Sequence, residues 1–185
     1  LQMVRRSCPP RSERSTSPRV PVVGAHSAST DNLGMTPQGS GDDEVIDSPT
    51  GWVARHIHGY VESDGRKGHK WHGATTLLLT TRGRKSGQLR RTALIYGRDG
   101  DDFLVVASNG GRSEHPNWYL NLRDDPEVTL QVGPEVFPAR ARTASLQEKP
   151  NLWRLMAQIW PDYDGYQRKT TREIPVVILT PHDRR

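Results

Sequence analysis

Cysteine is almost absent. The one thiol among 185 residues is Cys8, near the start of the chain. That excludes a disulfide framework and a thiolate metal site, and it fits a reducing cytoplasm. There is no long apolar run, so neither a secretory core segment nor a membrane-spanning helix is expected. The first 50 residues have no Trp, Tyr or Phe, yet they hold six of the fourteen prolines and many Ser and Thr. Such a stretch cannot bury enough apolar surface to offset its ordering entropy, so residues 1–49 read as a disordered tail. Its cations, Arg5, Arg6, Arg11, Arg14 and Arg19, precede a run of acids from Asp31 to Asp47. This reads as a solvated arm rather than a nucleic-acid or lipid anchor. A translation start at Met35, just before the aromatic-bearing part, would account for the tail. Also missing are a Gly-x-Ser-x-Gly elbow, a Gly-x-Gly-x-x-Gly fingerprint, a Walker loop and a His-Glu-x-x-His pair.

What remains, residues 50–182, is enough for one domain with one core. From residue 50 to the last, the chain carries 21 Lys and Arg against 15 Asp and Glu, a net +6, so its positive charge belongs to this part and implies an anionic partner. Helical spacing of Trp52, Val53, His56, Ile57 and Tyr60 predicts a helix over 50–62, capped by Ser48 or Thr50, followed by a Gly/Lys/His-rich link over 63–73. Strands are predicted over 74–82, 89–97, 102–108, 127–132, 136–143 and 176–179, and helices over 115–123, 146–160 and 162–170. Because these strands lack regular helical crossovers, the order argues for an antiparallel barrel with helices packed outside.

Three segments can carry chemistry. The hairpin tip within Thr80–Arg91 holds five cations and two glycines. Arg82, Arg84, Lys85 and Arg90 can converge on one polyanion, with the N–H groups of Ser86 and Gly87 beside them. Nucleic acid is open on charge alone, but no aromatics interleave with the cations as on a stacking platform. Ala107-Ser108-Asn109-Gly110-Gly111 ends a strand in small residues, which admits close approach to the backbone, and Trp118 follows on a short helix as core or wall. Trp160, Tyr163 and Tyr166 recur at spacing three and can line one face as a lid over a flat ligand, with a Tyr hydroxyl as proton donor. The alternative for each is a solvated turn, a plain loop and core aromatics. His56 with His58 and His69 with His72 do not make a metal site, and none is expected.

Several stretches in register over about residues 50–181 resemble the deazaflavin-dependent nitroreductase family, the F420-dependent oxidoreductases of actinobacteria. They are Leu77–Gly87, Tyr96–Gly100, Val105–Gly111, His115–Leu122, Asp125–Val128, Tyr163-x-x-Tyr166-Gln167 and Arg172–Val177. The resemblance implies a split antiparallel β-barrel of the FMN-binding, pyridoxamine-phosphate-oxidase-like kind, with coenzyme F420 rather than FMN as cofactor. It implies cofactor contacts from Leu79, Thr80, Arg84, Lys85, Ser86, Gly87, Arg90, Ser108, Asn109, Gly110, Gly111, Trp118 and Tyr163. Tyr163, Tyr166 and Ser108 are the catalytic candidates. The implied activity is hydride transfer from reduced F420 to a quinone, an enone or a nitroaromatic. A small-molecule acceptor is thus the expected partner, for a cytoplasmic monomer or homodimer that contacts the inner membrane face peripherally, and nucleic acid is not. A non-catalytic F420 or flavin carrier and a nucleic-acid-binding barrel are the competing readings. Leu89 stands where relatives usually have Pro, Asn109 where many have Lys, and Ile95 and Trp160 where some nitro-reducing members have Tyr.

Overall fold

The computed structural model describes residues 44–49 and 51–182. In chain order the elements are β1 (Val45–Asp47), α1 (Gly51–Glu62), β2 (Lys70–Trp71), β3 (Ala74–Arg82), β4 (Leu89–Asp99), β5 (Asp102–Val106), α2 (Asn117–Asp124), β6 (Glu127–Val132), β7 (Glu135–Thr143), α3 (Lys149–Ile159), α4 (Asp162–Arg168) and β8 (Val176–Pro181). Six strands close in the order β3-β4-β5-β8-β7-β6 and back to β3, with every pair antiparallel. Closure removes the free edges that an open sheet would expose. This is the antiparallel barrel with outer helices that the pattern predicts.

Strand alternation sorts the apolar side chains into three cores. Leu77 and Leu79 of β3, Phe103 and Val105 of β5, and Val177 and Leu179 of β8 point into the barrel, where Tyr119 and Leu122 of α2 join them. The intervening Leu104, Val106, Val176 and Ile178 point outward and are covered by Leu152 and Met156 of α3 and Tyr163 of α4. Leu78 points outward under Val53, Ile57 and Tyr60 of α1. These strands are therefore buried on both faces, which is why their sequences read as continuous apolar runs. Tyr60 locks α1 in place: its hydroxyl donates to Thr76 O at 3.1 Å and accepts from the Gly133 N–H at 2.8 Å.

Four local expectations give way to tertiary structure. Val45–Asp47, assigned above to the tail, pairs parallel with Leu89–Arg91, and Asp47 bonds Arg91 at 2.7 Å. The rest of the tail, and Thr50 as a cap, lie outside the described residues. The 63–73 link contains β2, paired with Ala74 and Thr75. The third strand stops at Val106, short of 108: Ser108 already has helical dihedrals, and Asn109, Gly110 and Gly111 after it all take positive φ, which a strand cannot continue. The helix expected from 146 starts at Lys149, and Leu146 is 75% exposed. Ser145 and Glu148 exchange backbone-to-side-chain bonds of 2.8 and 3.3 Å that set this start. A fork from Arg142 helps hold the Glu148 carboxyl down at about 2.

Candidate functional site

β3 and β4 run in register from Thr76↔Ile95 to Arg82↔Leu89, which leaves Gly83–Gln88 as the tip. The tip is closed by its own backbone. Gly83 N–H donates to Gln88 O at 2.8 Å, while Ser86 and Gly87 N–H donate to Gly83 O at 3.2 and 2.7 Å. The two amides expected to face an anion are therefore spent inside the turn, and side chains must do the binding. Arg82, Arg84, Lys85 and Arg90 are all exposed there. Arg82 is braced on Gly87 O at 2.8 Å and Arg90 on Gln88 Oε1 at 3.2 Å.

Arg84 is fixed from outside the hairpin. Asn121 of α2 is buried, and its Oδ1 accepts from the Arg84 backbone N–H at 3.3 Å and from its guanidinium at 3.1 Å. Asn121 Nδ2 donates to Thr81 Oγ1 at 3.2 Å, so the amide is spent on both sides. One turn earlier on α2, half-buried Trp118 packs against the barrel core. The eight residues of α2 span about 12 Å; its first turn follows the loop, and Asn121, midway along it, meets the basic tip.

That loop begins with the Ser108–Gly111 turn. A Cβ on Gly111 would lie 2.7 Å from Tyr166 O and 3.1 Å from Tyr166 Cα, so glycine is what lets the turn meet α4. Arg172, in the link between α4 and β8, binds the same loop on both sides of its glycines. It donates to Ala107 O at 3.2 Å, Ser108 O at 2.7 Å and Arg112 O at 2.8 Å, and meets His115 Nδ1 at 3.2 Å. Burial, with Arg172 and Arg123 nearby, keeps the His115 pKa below the ordinary imidazole value.

The aromatics divide instead of forming one face. Tyr163 is turned inward among Leu104, Val106, Leu152 and Ile174, and burial pushes its hydroxyl pKa up. This position corrects the expected lid: Tyr163 supports the site from behind. Tyr166 stays half-buried, edge-on to Tyr163 at 6.2 Å and with Lys169 5.4 Å from its ring centre. Trp160 continues a column to Trp71 (5.5 Å) and on to Trp52 (5.1 Å), joining the end of α3 to the start of α1 through β2.

The expected residues therefore gather at two places. Arg84, Lys85, Ser86, Gly87 and Arg90 form the tip; Ser108, Asn109, Gly110, Gly111 and Tyr166 form the turn against α4. Trp118 stands on α2 between them. Leu79 is wholly interior and can offer only backbone. Thr80 lines a hollow of about 270 Å³ with Arg82, Asp125 and Glu127, a lining of mixed charge. Asn121 and Arg172 were missed as site residues: both lie inside recognised motifs, but their targets are 37 or more residues away along the chain. Among the described residues no three His, Cys, Asp or Glu side chains could hold a metal, and no helix is long and apolar enough to cross a membrane.

Comparison with known proteins bears on the family and the fold. The family model for F420H(2)-dependent quinone reductase matches residues 52–181. An F420H(2)-dependent quinone reductase of Mycobacterium tuberculosis is 40% identical over 142 residues, covering 70% of this chain and 95% of the relative. A solved F420-H2 dependent reductase, FDR-A, superposes with a TM-score of 0.53 at 39% identity, covering 56% of this chain and 92% of that one. A second solved structure, described as a domain-swapped dimer, gives a TM-score of 0.56 at 36% identity over 71% of this chain and 99% of its own.

Proposed function

We propose, since this chain belongs to the F420H(2)-dependent quinone reductase family, that it delivers a hydride from reduced F420 to a flat, electron-poor acceptor, a quinone first and enones or nitroaromatics next. The observation that carries this reading is the joining of the cationic β3–β4 tip to the Ser108–Gly111 turn through α2. An elongated ligand with anions at one end and a flat ring at the other needs those two surfaces at a fixed spacing. Coenzyme F420, a deazaflavin with a phosphate and an oligoglutamate tail, supplies the hydride when bound.

The residues divide the remaining work. Exposed Arg84 and Lys85, with Arg82 and Arg90 beside them, suit the phosphate and carboxylates, and Asn121 holds Arg84 in place for them. The glycines of the turn let a ring approach backbone, and Trp118 offers an apolar wall. Orientation of the ring against the acceptor, with water kept out, supplies the rate. The half-buried hydroxyl of Tyr166 can give the proton that follows, whereas Tyr163 is too deeply buried to meet the acceptor directly. A lipid-dissolved quinone would be met at a membrane surface, where half-exposed Trp52 near exposed Arg55 suits the interface.

Titration with F420, followed by steady-state oxidation of F420H2 with menadione, tests the reading. Saturable binding that weakens with salt, together with acceptor-dependent turnover, supports it. Binding without turnover would favour a carrier. No binding, with affinity for long polyanions instead, would favour a nucleic-acid protein.

A further inference from the structure

We propose that Arg172 is the positioning residue of the cofactor-ring end of the site, and that its bond to His115 makes that end sensitive to acid. The inference rests on the F420 reading above. Its basis is the geometry of one guanidinium. Through three carbonyls and one imidazole nitrogen it grips Ala107 and Ser108 before the glycine pair and Arg112 and His115 after it. The loop's own restraints are all short-range: Gly111 N–H reaches Ser108 O at 2.9 Å, Arg112 N–H reaches Asn109 O at 3.3 Å, and Asn109 Nδ2 donates to Glu114 O at 2.9 Å. Three successive residues in the left-handed region, one of them Asn109, need such an external clamp to hold a single shape. Arg172 sits 61 residues beyond Gly111 in the sequence, so the clamp exists only when β8 is docked beside β5.

The His115 contact has a fixed polarity. A guanidinium only donates, so Nδ1 must accept, and the imidazole must be the neutral tautomer with its proton on Nε2. The other groups around it are mostly cationic or neutral: Arg123 on α2, Arg112 in the loop, and the Tyr119 ring at 4.9 Å. Glu114, a nearby carboxylate, is fully exposed, bonds Ser113, and interacts with Arg172. Protonation of His115 replaces an acceptor with a second cation facing Arg172. Because burial and the neighbouring cations hold its pKa in the folded chain below the ordinary value of about 6.5, the clamp is whole at that pH and above, and fails only as the pH falls through the lowered value.

The test uses the full chain and the variants Arg172→Gln, Arg172→Lys and His115→Asn, whose Oδ1 can accept where Nδ1 did. Three quantities are followed: F420 affinity and menadione turnover between pH 7.5 and 5, melting temperature, and amide exchange at Gly110–Arg112. At pH 7.5, Arg172→Gln should lower turnover by about tenfold or more, as expected for lost charge-assisted bonds, with partial rescue by Arg172→Lys. Exchange at Gly110–Arg112 should rise while β5 stays protected. The parent should lose turnover in acid more steeply than His115→Asn, a difference that cancels any titration of the cofactor or the hairpin. If the parent binds and turns over F420 but all variants match it, or if His115→Asn shows the same acid loss as the parent, the clamp is overturned and the F420 reading stands. If turnover loss in Arg172→Gln only follows a fall in melting temperature and vanishes on cooling, Arg172 is a stability residue, which also overturns the proposal. If the parent binds no F420, the functional reading falls and this one falls with it.

Discussion

The two ends of the candidate site are built in opposite ways. The β3–β4 tip closes its turn with backbone bonds of its own within Gly83–Gln88, takes one outside brace where Asn121 holds Arg84, and leaves its cations exposed. The Ser108–Gly111 turn is shaped from outside, by α4 pressing on Gly111 and by Arg172 holding the flanking carbonyls. The tip can bind an anion by charge and reach, and tolerates imprecision because Coulomb attraction varies gently with distance. A hydride-transfer ring tolerates little, since orientation is part of the rate. On the proposed reading, the tip is therefore expected to govern affinity and the clamped turn to govern turnover.

The contrast breaks most sharply at Gly111. Gly111→Ala brings a Cβ within 2.7 Å of Tyr166 O at a positive φ, so it should cost roughly 2–3 kcal/mol of stability in a denaturant titration. A loss below about 0.5 kcal/mol would mean that α4 does not press on the turn. At the other end, Arg84→Ala or Lys85→Ala should leave stability nearly unchanged and weaken F420 binding by about 1–3 kcal/mol, ten- to a hundredfold, more so at low salt. Unchanged affinity in both would reduce the tip to a solvated turn.

A smaller effect is expected at the acceptor side. Tyr166→Phe removes a hydroxyl that solvent can partly replace, so turnover with menadione should fall about tenfold or less, with F420 affinity unchanged. A fall in affinity instead would move Tyr166 to the cofactor side. The smallest effect concerns the chain entry. A chain starting at Met35 keeps β1 and should melt as the full chain does. One starting at Thr50 loses the β1–β4 pairing and the Asp47–Arg91 bond, and should give up about 1 kcal/mol. Equal melting of both would make β1 incidental.

Much of the fold was legible because its signals are local. β3 falls where its apolar run and flanking turn residues put it, β6 where Val128, Leu130 and Val132 alternate with polar residues, and α1 follows the spacing of Val53, Ile57 and Tyr60. β1 was hidden, since three residues of an acidic, proline-flanked stretch become a strand only when β4 offers its edge. The tip's cations were plain from composition. The inward turn of Tyr163 was not, because spacing three gives a shared face without saying whether that face meets ligand or core.

By itself, then, the sequence determined the elements, the closed antiparallel architecture, the charge of the tip and the family, all of which depend on residue order over short spans. Tertiary structure decided which groups remain available. It consumed the Ser86 and Gly87 amides within the turn, buried Tyr163, and brought Asn121 to Arg84 and Arg172 to Ser108 and His115. The reason is physical: a polar group's function depends on whether it is already paired, and these partners come from segments that meet only when the barrel closes.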